Sequence, residues 1–314
     1  MANTSTKIAE SPFDDVAGDT ILRSSGEKPV DFCTYKLFLI HASPVFKDMF
    51  TPPKGRPPMQ QHPGPLVVTM REGADDLRTL LIWCHPAIVP DRPTTLERFH
   101  RFYGIADKYM LDRVKVWLRQ CLTEFVKQMP VGVYVLARHL DWKEEAKLAA
   151  EESLSRELYQ LVTESHTFLR TVPAQFLQDL LQYHFRTSTF LSSQMDPSSQ
   201  IFKWTADPNA GVSFLAEKED CCPTVEHYFE RDHSLYSRAW WATFASDCSA
   251  SLAKIPNFEK IPLKEITSKA VTTAKKCPGC GPLAQSRLEA FFVEVKRDLL
   301  YMRRNSMQYR IPLD

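Results

Sequence analysis

Apolar positions along the chain change period several times, and each change marks an element. From Asp19 to Lys36, in "DTILRSSGEKPVDFCTYK", two β-rich pieces flank "SSGEKP", whose Ser, Gly and Pro supply turn chemistry, so the pattern predicts a hairpin. Leu37, Leu39 and Ile40 then begin a short helical patch. Ser43 is placed to cap a second helix whose first residue is Pro44, where the missing N–H costs nothing. Val45, Phe46, Met49 and Phe50 form the apolar face of that helix.

"TPPKGRPPMQQHPGP" cannot continue a helix and predicts an exposed loop, after which "LVVTM" reads as a short buried strand. "DDLRTLLIWC" predicts a helix with acidic residues in its first turn and Leu77, Leu80, Leu81 and either Trp83 or Cys84 turned inward. Thr94 with Glu97 forms a capping pattern ahead of Leu96, Phe99, Phe102, Ile105, Ala106 and Tyr109 at helical spacing. "RVKVWLRQCLTEFV" predicts a further helix. After Pro130 the helical period persists through "VGVYVLARHL", "EEAKLAAEESLS" and "PAQFLQDLLQYHF", a run of short helices separated by tight turns. "RTSTFLSSQMDPSSQ" breaks the period and reads as a linker. The last third predicts helices from Tyr236 to Leu252, Leu263 to Lys275 and Leu283 to Arg304, the last with Leu288, Phe292, Val295, Leu299 and Met302 on one seam.

The 314-residue length suits two or three domains. Lys and Arg total 39 against 38 Asp and Glu, and the net charge of +1 gives no global field toward nucleic acid or an anionic membrane. The first residues lack the layout of a signal peptide, and no apolar run reaches bilayer length, so a soluble intracellular protein of the cytoplasm or nucleus is expected. Eight cysteines are too sparse for a disulfide scaffold.

These pieces carry a resemblance. Asp19, Ile21 and Leu22, then Phe32, Tyr35, Lys36, Leu39, Ser43, Phe46, Met49 and Phe50, follow the pattern of the BTB/POZ domain, in the divergent form common in fungal proteins. "LLIWCHP" and "FYGIADKYML" resemble its later helices, and Tyr35 departs from it by replacing the usual histidine. Residues 130 to 187 resemble the BACK-type helical extension. The resemblance implies an α+β fold: a flexible tail over 1–12, a BTB/POZ-like domain of short sheet and flanking helices over 13–128, a BACK-like segment over 129–190, and an all-helical region over 191–314.

It also implies a protein-binding, dimerising, non-enzymatic role, as a homo- or heterodimer, with some members presenting partners to a cullin-type ubiquitin ligase. In dimerising members, residues at the positions of Asp19 and Lys36 line a charged groove. Leu37, Phe38 and Phe46 are the apolar candidates beside them, although stripes of this kind usually face a core.

The remaining chemistry lies in "KKCPGCG". Its turn points the thiols of Cys277 and Cys280 toward one place, as in a zinc knuckle. Zinc is thus the single cofactor candidate, with Cys221, Cys222, His227, His233 and Cys248 as sources of further ligands, and a zinc-stabilised regulator is the alternative function. A thiol-disulfide enzyme would need a strand before the motif, where "LKEITSKAVTTAKK" has helical spacing. No nucleophile elbow, phosphate-binding glycine loop, dinucleotide fingerprint or metallopeptidase histidine pair occurs. Glu144, Glu145, Glu151 and Glu152, and the basic group Lys296, Arg297, Arg303 and Arg304, read as solvated helix faces.

Overall fold

In a computed structural model that describes residues 6–51, 64–198, 214–216, 222–229, 233–305 and 311–313, the predicted hairpin forms from β2 (Thr20–Arg23) and β3 (Val30–Thr34). They pair antiparallel with Leu22 opposite Phe32, both buried. One position along, Arg23 Nε and Nη2 donate to the two carboxylate oxygens of Asp31 at 2.7 and 2.8 Å, a bidentate cross-strand pair that reinforces this register. A two-residue strand, β1 (Lys7–Ile8), adds parallel to β3, and β4 (Leu66–Thr69) adds parallel to β2, giving the order β1-β3-β2-β4. β4 was expected to be buried. It lies at the sheet edge instead, with Leu66 and Val67 exposed, and only the following Met70 enters the core. A short apolar run does not by itself distinguish a central strand from an edge.

The corner after β3 is built as its sequence requires. α1 (Lys36–Ala42) stops at Ser43, and α2 (Pro44–Phe50) starts with proline at its first position while Ser43 Oγ accepts from the Phe46 N–H at 3.3 Å. The same hydroxyl donates to the carbonyl of Tyr109 at 2.6 Å. α3 (Ala74–Cys84), α4 (Leu96–Lys108) and α5 (Asp112–Leu122) follow. α3 buries Leu77, Leu80, Leu81 and Cys84, and α4 buries Leu96, Phe99, Phe102, Ile105 and Ala106, the 3–4 spacing read from the sequence. The cap of α4 is Thr95 rather than Thr94, its side chain accepting from the Arg98 N–H at 3.1 Å. Met49, predicted to face inward, is exposed.

The chain separates into two compact units between Phe125 and Val126. The second is built from α6 (Pro130–His139), α7 (Lys143–Ser153), α8 (Leu158–Thr163), α9 (Ala174–Met195), strands β5 (Leu215–Ala216), β6 (Thr224–Phe229) and β7 (His233–Arg238), then α10 (Ala239–Lys254), α11 (Leu263–Ala274) and α12 (Ala284–Asn305). Two expectations are corrected here. Residues 186–195 of the stretch read as a linker continue α9: Ser192 and Ser193 return their hydroxyls to the carbonyls of Thr189 and Phe190 while Leu191 and Met195 are buried. Ser188 donates across to the carbonyl of Ala253 at 2.7 Å, and Ser249 to that of Ser192 at 2.8 Å, so small polar residues join α9 to α10.

The region expected to be all-helical also contains a small antiparallel sheet, ordered β5-β7-β6. Tyr236, expected to open a helix, pairs across strands with Glu226 and donates to its carboxylate at 3.0 Å. Against this sheet, Phe214 packs on Trp240, Trp241 and Phe291 with ring centroids 5.1 to 5.7 Å apart. Two residues read as solvated are buried, Glu145 and Arg303. Arg303 Nη2 donates to Glu151 Oε2 at 2.8 Å. Among the described residues no helix is long and apolar enough to cross a membrane.

Candidate functional site

In the first unit, the residues suggested for interaction fall into three environments. Asp19 is exposed, yet its Oδ1 accepts from the backbone N–H of Lys36 at 2.8 Å and from Thr20 Oγ1 at 3.1 Å, so it terminates α1 and forms no ion pair with the Lys36 side chain. Tyr35, the departure from the family pattern, donates its hydroxyl to Asp15 Oδ2 at 2.6 Å, and this bond lowers the Asp15 pKa and raises that of Tyr35. Phe46 is 0% exposed, stacked on Tyr109 at 5.1 Å, and therefore belongs to the core and offers no surface to a partner.

Leu37 and Phe38 are different. Leu37 is 60% exposed, while Phe38 is half-buried with its ring edge-on to Tyr35 at 5.4 Å and His85 at 5.3 Å. Together with His41, Trp83, Met110 and Arg113 they line a cleft of about 830 Å³ between α1, the end of α3 and the start of α5. Met110 shapes its rim. It ends α4 at φ 53°, and the Leu111 N–H then reaches back to the Ala106 carbonyl at 2.8 Å. The side chain of Met110 is left 53% exposed. Trp83, His85 and Met110 were not among the interaction candidates of the sequence: Trp83 was read only as one of two inward-facing alternatives on its helix, and a non-glycine left-handed residue such as Met110 leaves no compositional signal.

In the second unit, the Cys-x-x-Cys turn is joined by a third thiol. Cys277 follows α11, its N–H bonded to the Ala274 carbonyl at 3.0 Å, and Cys280 precedes α12, its carbonyl accepting from the Ala284 N–H at 3.0 Å. Cys222 arrives from the start of β6. The three Sγ atoms lie within 4.8 Å of one another, with Cys222 and Cys280 3.7 Å apart. Cys277 and Cys280 are buried and Cys222 half-buried. Arg238, at the junction of β7 and α10, donates from one guanidinium nitrogen to Cys222 Sγ and Cys280 Sγ, both at 3.4 Å.

Of the other suggested ligands, Cys248 and His227 stand apart from this group. Cys248 is fully buried on α10, where burial pushes its thiol up to about 12, and His227 Nε2 is 2.7 Å from Ser237 Oγ, with burial lowering its pKa against a smaller opposing effect of Asp196. Cys221 and the side chain of His233 lie outside the described residues. A helix, α11, occupies the place where a thioredoxin-like motif would follow a strand. No family model and no curated protein matches the sequence.

Proposed function

We propose that the chain is a non-enzymatic protein-interaction protein whose first unit is a BTB/POZ-like dimerisation module. The observation that carries this reading is the element order β2-β3-α1-α2-β4-α3-α4-α5, with the Ser43-Pro44 corner at the position the resemblance implies. The cleft beside α1 supports it further, because Leu37 and Met110 expose apolar surface around half-buried aromatic rings, the composition of a surface that a protein partner buries. Asp19 takes a different place in this proposal from the one first expected: it holds the end of α1 and so sets the position of Leu37 and Phe38.

Sedimentation of the full chain at micromolar concentration tests the reading. A dimer is expected, and Leu37→Glu, which places a charge on an exposed position, should weaken it by at least about tenfold, or 1.4 kcal/mol. A chain that stays monomeric and captures no second protein would overturn the proposal. Within the same reading, the BACK-like run from α6 to α9 supports an adaptor role toward a cullin-type ubiquitin ligase. Affinity purification of the full chain that recovers no cullin would remove that role and leave dimerisation standing.

A further inference from the structure

The thiol group of the second unit has no part in the proposed interaction surface, and its geometry has its own chemistry. Three cysteines from two segments meet there: Cys222 ahead of β6, and Cys277 and Cys280 in the turn between α11 and α12. Convergence of this kind is built in several ways. The Ala239 N–H donates to the Pro223 carbonyl at 2.9 Å, holding the segment of Cys222 against the start of α10, where Arg238 sits. The Gly281 N–H closes the turn onto the Cys277 carbonyl at 2.9 Å, and a Cβ at Gly281 would lie 3.1 Å from the Lys275 Cα and 3.3 Å from the Cys277 oxygen. Glycine lets the turn close.

We propose that Cys222, Cys277 and Cys280 form a thiolate site for a divalent soft metal ion, zinc in the first instance, with Arg238 as its charge partner. Sulfurs about 2.3 Å from a tetrahedral zinc stand about 3.8 Å apart, and the Cys222–Cys280 separation is 3.7 Å. The charge argues for a divalent ion. Three thiolates and Zn²⁺ sum to −1, which the guanidinium of Arg238 neutralises at 3.4 Å from two of the sulfurs; with a monovalent ion the same group would keep a net charge of −1. Binding transfers the thiol protons to solvent as the metal–sulfur bonds form. These three sulfurs leave the fourth tetrahedral position to a donor outside the triad. Because the ligands are drawn from both sides of α10 and α11, the ion would fasten the small sheet to the α11–α12 turn, and its affinity would add to the stability of the second unit.

The test uses the full chain purified under reducing conditions without chelator. Metal analysis should find close to one zinc per chain. Cobalt(II) added to the metal-free protein should give the visible bands and intense near-ultraviolet sulfur-to-metal absorption of a tetrahedral thiolate site, displaced by zinc. Cys222→Ser, Cys277→Ser and Cys280→Ser should each lower zinc affinity at least tenfold, whereas Cys121→Ala, in the other unit, should not. Should a serine variant fail to fold, alkylation mapping of the wild-type chain decides the matter: zinc should protect all three thiols and a chelator should release them. Substoichiometric metal, a cobalt spectrum without sulfur-to-metal absorption, unchanged affinity in the variants, or alkylation at the three cysteines indifferent to zinc would each overturn the proposal. So would a Cys222–Cys280 disulfide in freshly purified protein, seen as a mass lower by two hydrogens.

Discussion

The carboxylate of Asp19 bonds the backbone N–H of Lys36 at 2.8 Å and leaves the lysine side chain alone. Two residues that the family resemblance places along a charged groove are thus joined by a helix terminus. An exposed carboxylate on a first-turn N–H acts as a cap, worth about 0.5–2 kcal/mol, and the helix dipole adds to it. Asp19→Ala should therefore destabilise the first unit by that amount and speed amide exchange in α1. Lys36→Ala should change stability by less than about 0.5 kcal/mol. Equal losses in the two variants, measured by chemical denaturation, would contradict the capping role.

Ser43 has two bonds to lose. Its hydroxyl caps α2 through the Phe46 N–H and reaches the carbonyl of Tyr109 at 2.6 Å, in a fully buried position. Ser43→Ala removes a cap worth about 1 kcal/mol and strands a buried acceptor at a further cost of about 1–3 kcal/mol. A loss of roughly 2–4 kcal/mol is expected by the same two terms, with faster exchange of the α2 amides, and Ser43→Thr should restore most of it. A loss below about 0.5 kcal/mol, the size of an ordinary surface substitution, would show that neither bond matters.

His184 should make stability fall in mild acid. Its ring is buried on α9, Nε2 donates to the Arg156 carbonyl at 2.9 Å, and Nδ1 meets no protein partner among the described residues. Burial, the larger influence, lowers the pKa, and the bond to Arg156 only partly offsets it. The unfolded chain therefore takes up the proton first, near pH 6.5. The contribution of the neutral ring is intact above that value and declines as pH drops through it toward the lower folded value. Denaturation midpoints measured from pH 7.5 to 5 should decrease, and His184→Gln, which keeps a donor and does not titrate, should flatten the decline. His227 shifts in the same direction and should leave a residual slope.

What could be read from the sequence divides along physical lines. The β2–β3 hairpin, the Ser43-Pro44 corner and the inward face of α4 rest on local rules of turn chemistry, capping and period, and the residues named for them are the ones that perform the task. The α9 serines misled, since Ser and Thr favour breaks on average but here bond back to their own helix and across to α10. Two of the three thiols were legible from the Cys277–Cys280 spacing. Cys222 stood among five possible further ligands, and nothing local singled it out, because its arrival depends on a small sheet whose register brings residues before β6 beside Arg238.

Arg303 and Glu151 give a test of which partner of an ion pair matters more. They bond at 2.8 Å, and the hydroxyl of Tyr183 also donates to Glu151, at 3.3 Å. The side chain of Arg303 is 10% exposed and that of Glu151 42%, so the two ions are not equally dependent on each other. Removing the arginine leaves a carboxylate that water can reach. Arg303→Met should then cost about 1–2 kcal/mol, the order of a charged hydrogen bond, with the methionine recovering part of the packing along α12. Removing the glutamate leaves a guanidinium with little access to solvent, and Glu151→Ala should approach the 3–5 kcal/mol of a broken buried pair. Denaturation of the two single variants decides the point: the glutamate variant is expected to be the less stable, and the reverse order would mean that Arg303 is held by packing rather than by its charge.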